Sequence, residues 1–309
     1  TIITDMVGYD RSMVYQFQDD LSGKVVYEKI RPSLVGTMDS YMGLYFPESD
    51  IPLPARQMFM MRPLRVIFDN DADSVDIVGR QEDEKPDLSK CTLRANHPVH
   101  ASYMKNMGVR SSMSIAIVVN NELWGLLCFH AYGEAVHPWG REISIFESLS
   151  SHISICISKI QRDHYEKRRS VLSSLLDKGF STDDIFAFFA GNALDLLKLM
   201  RVECVSIRLA DRNKAYGDTD LVPTVAEVDR VSRGAIGKDW AMGKLLHPSR
   251  GVICLVHAEL SVIFVRESIS SDKAWAGDPS HVKLMRPDGV PGPRGSFERY
   301  IQSGADSLN

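Results

Sequence analysis

The sequence predicts an α+β fold of two domains joined by one long helix, on three observations. Short β-rich runs bounded by turn residues recur in both halves. Between them lies a proline- and glycine-free stretch with helical periodicity. With 309 residues, 44% of them hydrophobic and 25% charged, the chain can bury two ordinary cores.

In the first half, SMVYQF (Ser12 to Phe17) and KVVYEKI (Lys24 to Ile30) flank DDLSG, a hairpin signature. SMSIAIVV (Ser112 to Val119) and ELWGLLCFH (Glu122 to His130) flank Asn120-Asn121, whose side chains tolerate the left-handed backbone of a tight turn. These read as central antiparallel strands. The acidic segment QEDEKPDLSK (Gln81 to Lys90) reads as a solvated loop.

From Arg141 to Lys178, Phe146, Leu149, Ile153, Cys156 and Ile160 recur at three- and four-residue steps, with Gly179 as the stop. A helix of that length spans nearly 60 Å at about 1.5 Å per residue, too long for one small domain. Its apolar seam either packs on its own sheet or pairs with a second copy. Ser181 and Thr182 before Asp183-Asp184 make a capped start for a helix ending near Met200. Strand-like runs follow at Cys204 to Ala210, Gly251 to Val256 and Ser261 to Arg266. The last fifty residues, with WAGDP and DGVPGPRGSF, read as an extended excursion.

A net charge of −4 gives no general attraction to phosphate, which argues against nucleic-acid binding. Five widely spaced cysteines, Cys91, Cys128, Cys156, Cys204 and Cys254, read as buried thiols of a reducing compartment. No apolar run reaches about 18 residues, so a cytoplasmic protein is expected, with nuclear entry open. The chain starts without Met inside an apolar segment, as a fragment would.

No glycine-rich phosphate loop, G-x-S-x-G or carboxylate pair stands out. His97 and His100 with Cys91 offer three zinc-type ligands, but Pro98 disfavours placing both histidines on one helical face and no second pair closes the site; no metal is expected. What remains is polar chemistry in apolar surroundings: Arg65, Arg94, the period-two serines Ser112 and Ser114, and His130. Arginines and same-face serines suit a ligand with carboxylates, although each residue alone also reads as surface or strand-end structure.

FPESDIP (Phe46 to Pro52), LRANHPVHASYMKNMGV (Leu93 to Val109), SSMSIAIVV, LWGLLCFHAY (Leu123 to Tyr132), WAGDP (Trp275 to Pro279) and PRGSF (Pro293 to Phe297) together resemble the phytochrome photosensory module. The resemblance covers nearly the whole chain, in order. It implies a GAF chromophore-binding domain over 1–160 and a GAF-like PHY domain over 161–309. The helix at about 141–178 joins them, and a tongue lies at about 257–300. The family's upstream PAS and downstream output domains are absent from these residues. The implied function is red/far-red light sensing by a bound linear tetrapyrrole, with no catalytic residue in this chain and a histidine kinase often following. A homodimer through the long helix is implied, with no membrane or nucleic-acid partner.

Carried over by position, the resemblance gives Asp50 and Ile51 to the pyrrole nitrogens and ring system, and His100 to the pyrrole water. His130 goes to the ring D carbonyl. Arg65, Arg94, Tyr103, Ser112 and Ser114 go to the propionates, and Tyr15, Phe46 and Phe59 to the ring D wall. Arg294 would pair with Asp50, with Ser296 near by and Trp275 in the tongue. Val99 stands where the plant-like pattern has its attaching cysteine, so the covalent anchor is expected upstream and the pigment is biliverdin. FVRES (Phe264 to Ser268) departs from the usual tongue segment. A pigment-free GAF sensor of a cyclic nucleotide is the alternative, and a bilin-handling enzyme a third reading.

Overall fold

A computed structural model describes residues 8–78, 86–138, 140–180, 185–234, 240–244, 250–257, 260–267, 272–280 and 292–303. The chain divides into two compact units, 1–160 with 273–302, and 161–272 with 303–309.

The first unit is built on a sheet of order β13-β12-β3-β2-β1-β6-β5-β4. Its strands are β1 (Arg11–Phe17), β2 (Gly23–Ile30), β3 (Tyr45–Phe46), β4 (Leu64–Ile67), β5 (Ser111–Val119), β6 (Glu122–Ala131), β12 (Lys273–Ala276) and β13 (Arg299–Gln302). Both expected hairpins form, β1 with β2 and β5 with β6. Asn120 and Asn121 take positive φ, 53° and 63°, in the second turn. Helices α1 (Leu53–Met61) and α2 (Pro98–Asn106) follow β3 and precede β5.

Period-two alternation sorts the strands into two faces. One is apolar: Leu64, Val66, Met113, Ile115, Ile117, Leu127 and Phe129 pack with Phe146, and Ile143, Leu149, Ile153 and Ile157 join them. Those helical residues lie on α3 (Gly140–Phe180). The seam's first half therefore packs on its own sheet. Ile157 continues it, while Cys156 and Ile160 are exposed. The expectation of five buried thiols is corrected accordingly: Cys128, Cys204 and Cys254 are buried, Cys91 is intermediate and Cys156 is exposed. The apolar run around Cys156 is helical, so its residues point in all directions instead of to one face. The helix also continues through Gly179, and the capped start at Ser181 to Asp184 lies outside the described residues. The division into units falls inside this helix.

The second unit holds α4 (Ile185–Met200), β7 (Cys204–Leu209), β8 (Arg212–Gly217), α5 (Val225–Gly234), β9 (Trp240–Lys244), β10 (Arg250–His257) and β11 (Leu260–Glu267). Its sheet order is β8-β7-β11-β10-β9. Phe186, Phe189 and Leu196 of α4 pack on Val205, Ile207, Val262 and Phe264. The alternate residues Cys204, Ile263, Val265, Val252 and Cys254 pack with Leu221 and Val228 on the other face. Because β11 pairs with both β7 and β10, the strand-like run Ser261 to Arg266 is a core strand of this sheet.

Candidate functional site

Of the polar residues singled out by sequence, Arg65, Ser112, Ser114 and His130 lie on the face of the first sheet away from α3, and Arg94 lies in the loop before α2. Strand register places them: Arg65, Ser114, Cys128 and Met13 form one cross-strand row, and Ile67, Ser112, His130 and Arg11 the next. Directly opposite residues share a face, so arginine, serine and histidine side chains stand beside one another there. Farther along the face, Met13, Tyr15, Val25, Tyr41, Leu44, Phe46 and Cys128 form a buried cluster against which Ile51, Phe59 and Phe297 pack. Tyr15 and Phe46 meet edge to face at 5.9 Å. A Cβ on Gly23 would collide with the Tyr15 ring, so glycine is required opposite this aromatic wall.

Asp50 ends a short 3₁₀ turn, Glu48–Asp50, and its carboxylate is the centre of a buried polar cluster on this face. Arg294 approaches it with two nitrogens, Nε to Oδ1 at 3.0 Å and Nη2 to Oδ2 at 2.5 Å. The two side chains are 3% and 2% exposed. Tyr103 of α2 donates its hydroxyl to Oδ2 at 2.9 Å. Arg294 Nη1 also donates to the Ala276 carbonyl, and Asn106 Nδ2 donates to the Arg294 carbonyl at 2.8 Å. Burial opposes the charge on Arg294, but hydrogen bonding and attraction to Asp50 outweigh it and hold the guanidinium above its ordinary value. Burial, then the Asp50 charge, pushes the Tyr103 phenol well up. Such a bidentate buried pair is tightly specified in geometry, and losing one partner strands the other charge.

β12 carries the WAGDP motif into this sheet, pairing with β13 and, through Trp275 opposite Tyr45, with β3. Gly277 has φ +85°, and a Cβ there would strike the Ser296 carbonyl 2.3 Å away. This glycine lets PRGSF lie against WAGDP and brings Arg294 to Asp50. Trp275 is buried, meets Tyr45 at 5.8 Å and donates Nε1 to Gln302 at 2.8 Å. Ser296 is exposed, and its hydroxyl accepts from Glu298 N at 3.3 Å, so it borders the pair without touching it.

The two histidines of LRANHPVHASYMKNMGV take different places. His97 caps α2, its Nδ1 accepting from Val99 N at 3.3 Å. His100 sits one turn in, its ring 6.4 Å from Tyr103. The residue is exposed, with protein atoms close around its ring. Desolvation, then the charges of Arg65 and His97, lower its pKa to about 4. Arg65 donates to the carbonyls of Arg94 and Ala95 at 3.1 and 3.0 Å. Arg94 turns back to the Cys91 carbonyl at 2.7 Å. Desolvation and the neighbouring Arg94 charge lower Arg65 to about 10. Ser112 is buried, and Ser114 Oγ lies 3.8 Å from Cys128 Sγ. His130 is 7% exposed and is held neutral down to about 3, by burial first and then by Arg11 and His100. Its Nδ1 is buried without a hydrogen-bond partner.

Sequence reading missed Arg11, Tyr41, Asn106 and Phe297. Arg11 sits beside the first strand quoted, and only register reveals that it stands opposite His130. Phe297 meets Tyr103 edge to face at 5.1 Å. Among the described residues, no group of three His, Cys, Asp or Glu is placed to hold a metal ion, and no helix is long and apolar enough to cross a membrane.

The GAF domain family matches residues 1–157. A bacteriophytochrome of Pseudomonas aeruginosa is 30% identical over 315 residues, 96% of this chain and 43% of its own length. Phytochrome E of Arabidopsis thaliana is 42% identical over 138 residues, 42% of this chain and 12% of its own. The crystal structure of a bacteriophytochrome from the photosynthetic bacterium R. palustris superposes with a TM-score of 0.79 at 23% identity, covering 98% of this chain and 64% of that one. The chain thus spans less than half the length of the Pseudomonas relative.

Proposed function

The chain belongs to the GAF domain family and is a GAF–PHY module of the phytochrome type, and from that premise we propose that it is a red/far-red photoreceptor binding a linear tetrapyrrole. The observation that carries the reading is the Asp50–Arg294 pair, which ties the SDIP segment to PRGSF across the face holding His130. A colourless cyclic-nucleotide sensor gives that pair nothing to do, and relatives named phytochrome do not favour it.

The residues fit such a pigment. A bilin is long and apolar with two carboxylates, so it needs aromatic walls and a few fixed cationic donors. Tyr15, Phe46, Phe59 and Ile51 supply the wall, Arg65, Arg94, Tyr103, Ser112 and Ser114 the polar edge, and His130, in register with Ser112, a ring donor on the same face. When bound, the tetrapyrrole supplies a light-driven Z-to-E isomerisation about the methine bridge to ring D.

The chain's residues do the rest. His100, neutral at ordinary pH, would hold water toward a bound pigment's nitrogens, and Asp50 would contribute acceptor atoms and negative charge there. His130 reports the position of the terminal ring through a hydrogen bond. Asp50 holds Arg294 in one state and is released to other donors in the second, which biases the segment carrying WAGDP and PRGSF between two packings. α3 passes that bias onward. With Val99 in place of a thiol, biliverdin anchored by an upstream cysteine is the pigment we assign. Dimerisation along the exposed part of α3, around Ile155 and Ile160, and a downstream output domain, with a kinase as one form of it, complete the reading. Residues 1–160 serve as the GAF domain and 161–309 as the PHY domain.

Asp50→Ala is expected to keep biliverdin binding but lose stable photoproduct; a fully reversible red/far-red difference spectrum in that variant would defeat the reading. His130→Ala is expected to alter photoconversion more than assembly, and complete loss of pigment binding would make His130 structural.

A further inference from the structure

Arg11 heads the large side chains that are fully buried among the described residues, at 1% exposed. Charged side chains are almost never so deeply buried unless paired. Its Nε lies 3.3 Å from Glu28 Oε1, with the two side chains 2% and 4% exposed. Its Nη2 donates to the Asp39 carbonyl, and its guanidinium carbon stands 4.0 Å from the centre of the Tyr41 ring. Nη1 is buried with no partner, and Nε, although near the Glu28 carboxylate, makes no hydrogen bond.

Directly opposite Arg11, on β6, stands His130, whose Nδ1 is also buried without a hydrogen-bond partner, as is the Tyr132 hydroxyl near by. An unsatisfied buried polar group costs about 1–3 kcal/mol, so two facing ones call for an explanation. They are complementary in kind. A guanidinium only donates, and a neutral imidazole has one nitrogen that only accepts. Opposed residues on adjacent antiparallel strands have Cβ atoms about 4.5–5.5 Å apart, within reach of one bridging water. The other titratable groups around His130 are His100, Tyr132 with its ring 6.4 Å away, and Glu28 and Tyr41 beyond Arg11.

We propose that Arg11 is a positioning residue: its buried Nη1 donates to His130 Nδ1 through one water, and thereby fixes His130 as the tautomer protonated at Nε2. The nitrogen turned to the site is then always a donor, as recognition of a ligand carbonyl requires. Burial and the adjacent Arg11 charge keep the ring from taking a second proton, so the donor does not become a cation near neutral pH. The fixed tautomer stands by itself; its use toward a pigment carbonyl rests on the photoreceptor reading.

Nitrogen-15 NMR of histidine-labelled, pigment-free protein tests it, with His130 assigned by comparison with His130→Gln. The expected result is one Nε2–H tautomer that does not titrate between about pH 5 and 8, within the range where a solvated histidine would. An Nδ1–H ring, a tautomer mixture, or titration near the ordinary value would overturn the proposal. Arg11→Lys, which keeps a charged donor, is expected to retain the single tautomer. Arg11→Met with Glu28→Leu, which removes both buried charges together, is expected to give a mixture; a ring still fixed at Nε2–H there would also overturn it. Absence of a biliverdin absorbance band would sink the photoreceptor reading without touching this NMR result.

Discussion

The two sheets of the molecule show opposite uses of the same alternating pattern. In the second unit both faces are apolar, with Phe264 and Val262 on one side and Ile263 and Val265 on the other. In the first unit one face is equally apolar, but the other sets Arg11, Arg65, Ser112, Ser114 and His130 at positions where hydrophobic residues would pack more simply. Buried polar groups are costly unless satisfied, and a chain that places them in register on one face is spending stability on recognition.

The largest expected effect lies in the purely structural sheet. Phe264→Ala should destabilise the protein by about 3–5 kcal/mol in urea unfolding, and residual pigment affinity of the folded fraction should be unchanged. A loss of affinity beyond the unfolded fraction would erase the contrast between the sheets. The pH response comes next. His130 stays neutral to about 3, whereas the unfolded chain's histidine takes a proton near 6.5. Between those values the unfolded state binds the extra proton, so stability falls as pH drops below 6.5, by about 1.4 kcal/mol per pH unit for this residue. His130→Gln should flatten that slope, and an unchanged slope would assign it elsewhere.

Tyr103→Phe removes one donor from the Asp50 carboxylate and should cost about 1.5–3 kcal/mol, measured by thermal unfolding of the variant against wild type. A neutral substitution would mean that Arg294 alone satisfies Asp50. The smallest effect belongs to Lys273, which meets Asp20 at 2.6 Å with side chains 23% and 41% exposed. Lys273→Ala should change stability by only about 0.2–1 kcal/mol. A larger loss would place part of the hold on the returning segment at its β12 end as well as at Arg294.

Much of this was legible in the sequence, for identifiable reasons. Period-two runs and the Asn120-Asn121 turn announce the hairpins because a strand's alternation is local. Asp50 and Arg294 were paired from motifs that resemble a family, and the structure places them within hydrogen-bonding distance across 244 positions of sequence separation; Tyr103, given to the propionates, instead donates to Asp50. Cys156 was misjudged because an apolar run gives hydrophobicity but not helical phase. The strand-like run Ser261 to Arg266, by contrast, was legible from its own letters and is β11. Arg11 went unnoticed because its importance is wholly one of register: nothing in DRSMVYQF says that the arginine will face a histidine more than a hundred residues away.

The central claim is that the polar face of the first sheet holds a light-sensing tetrapyrrole. Its most direct test is an absorbance spectrum of this chain with added biliverdin, taken before and after red light. The account predicts a long-wavelength band that red light shifts and that returns on far-red illumination or in darkness. A chain that stays colourless, or whose pigment band does not respond reversibly to light, would contradict it.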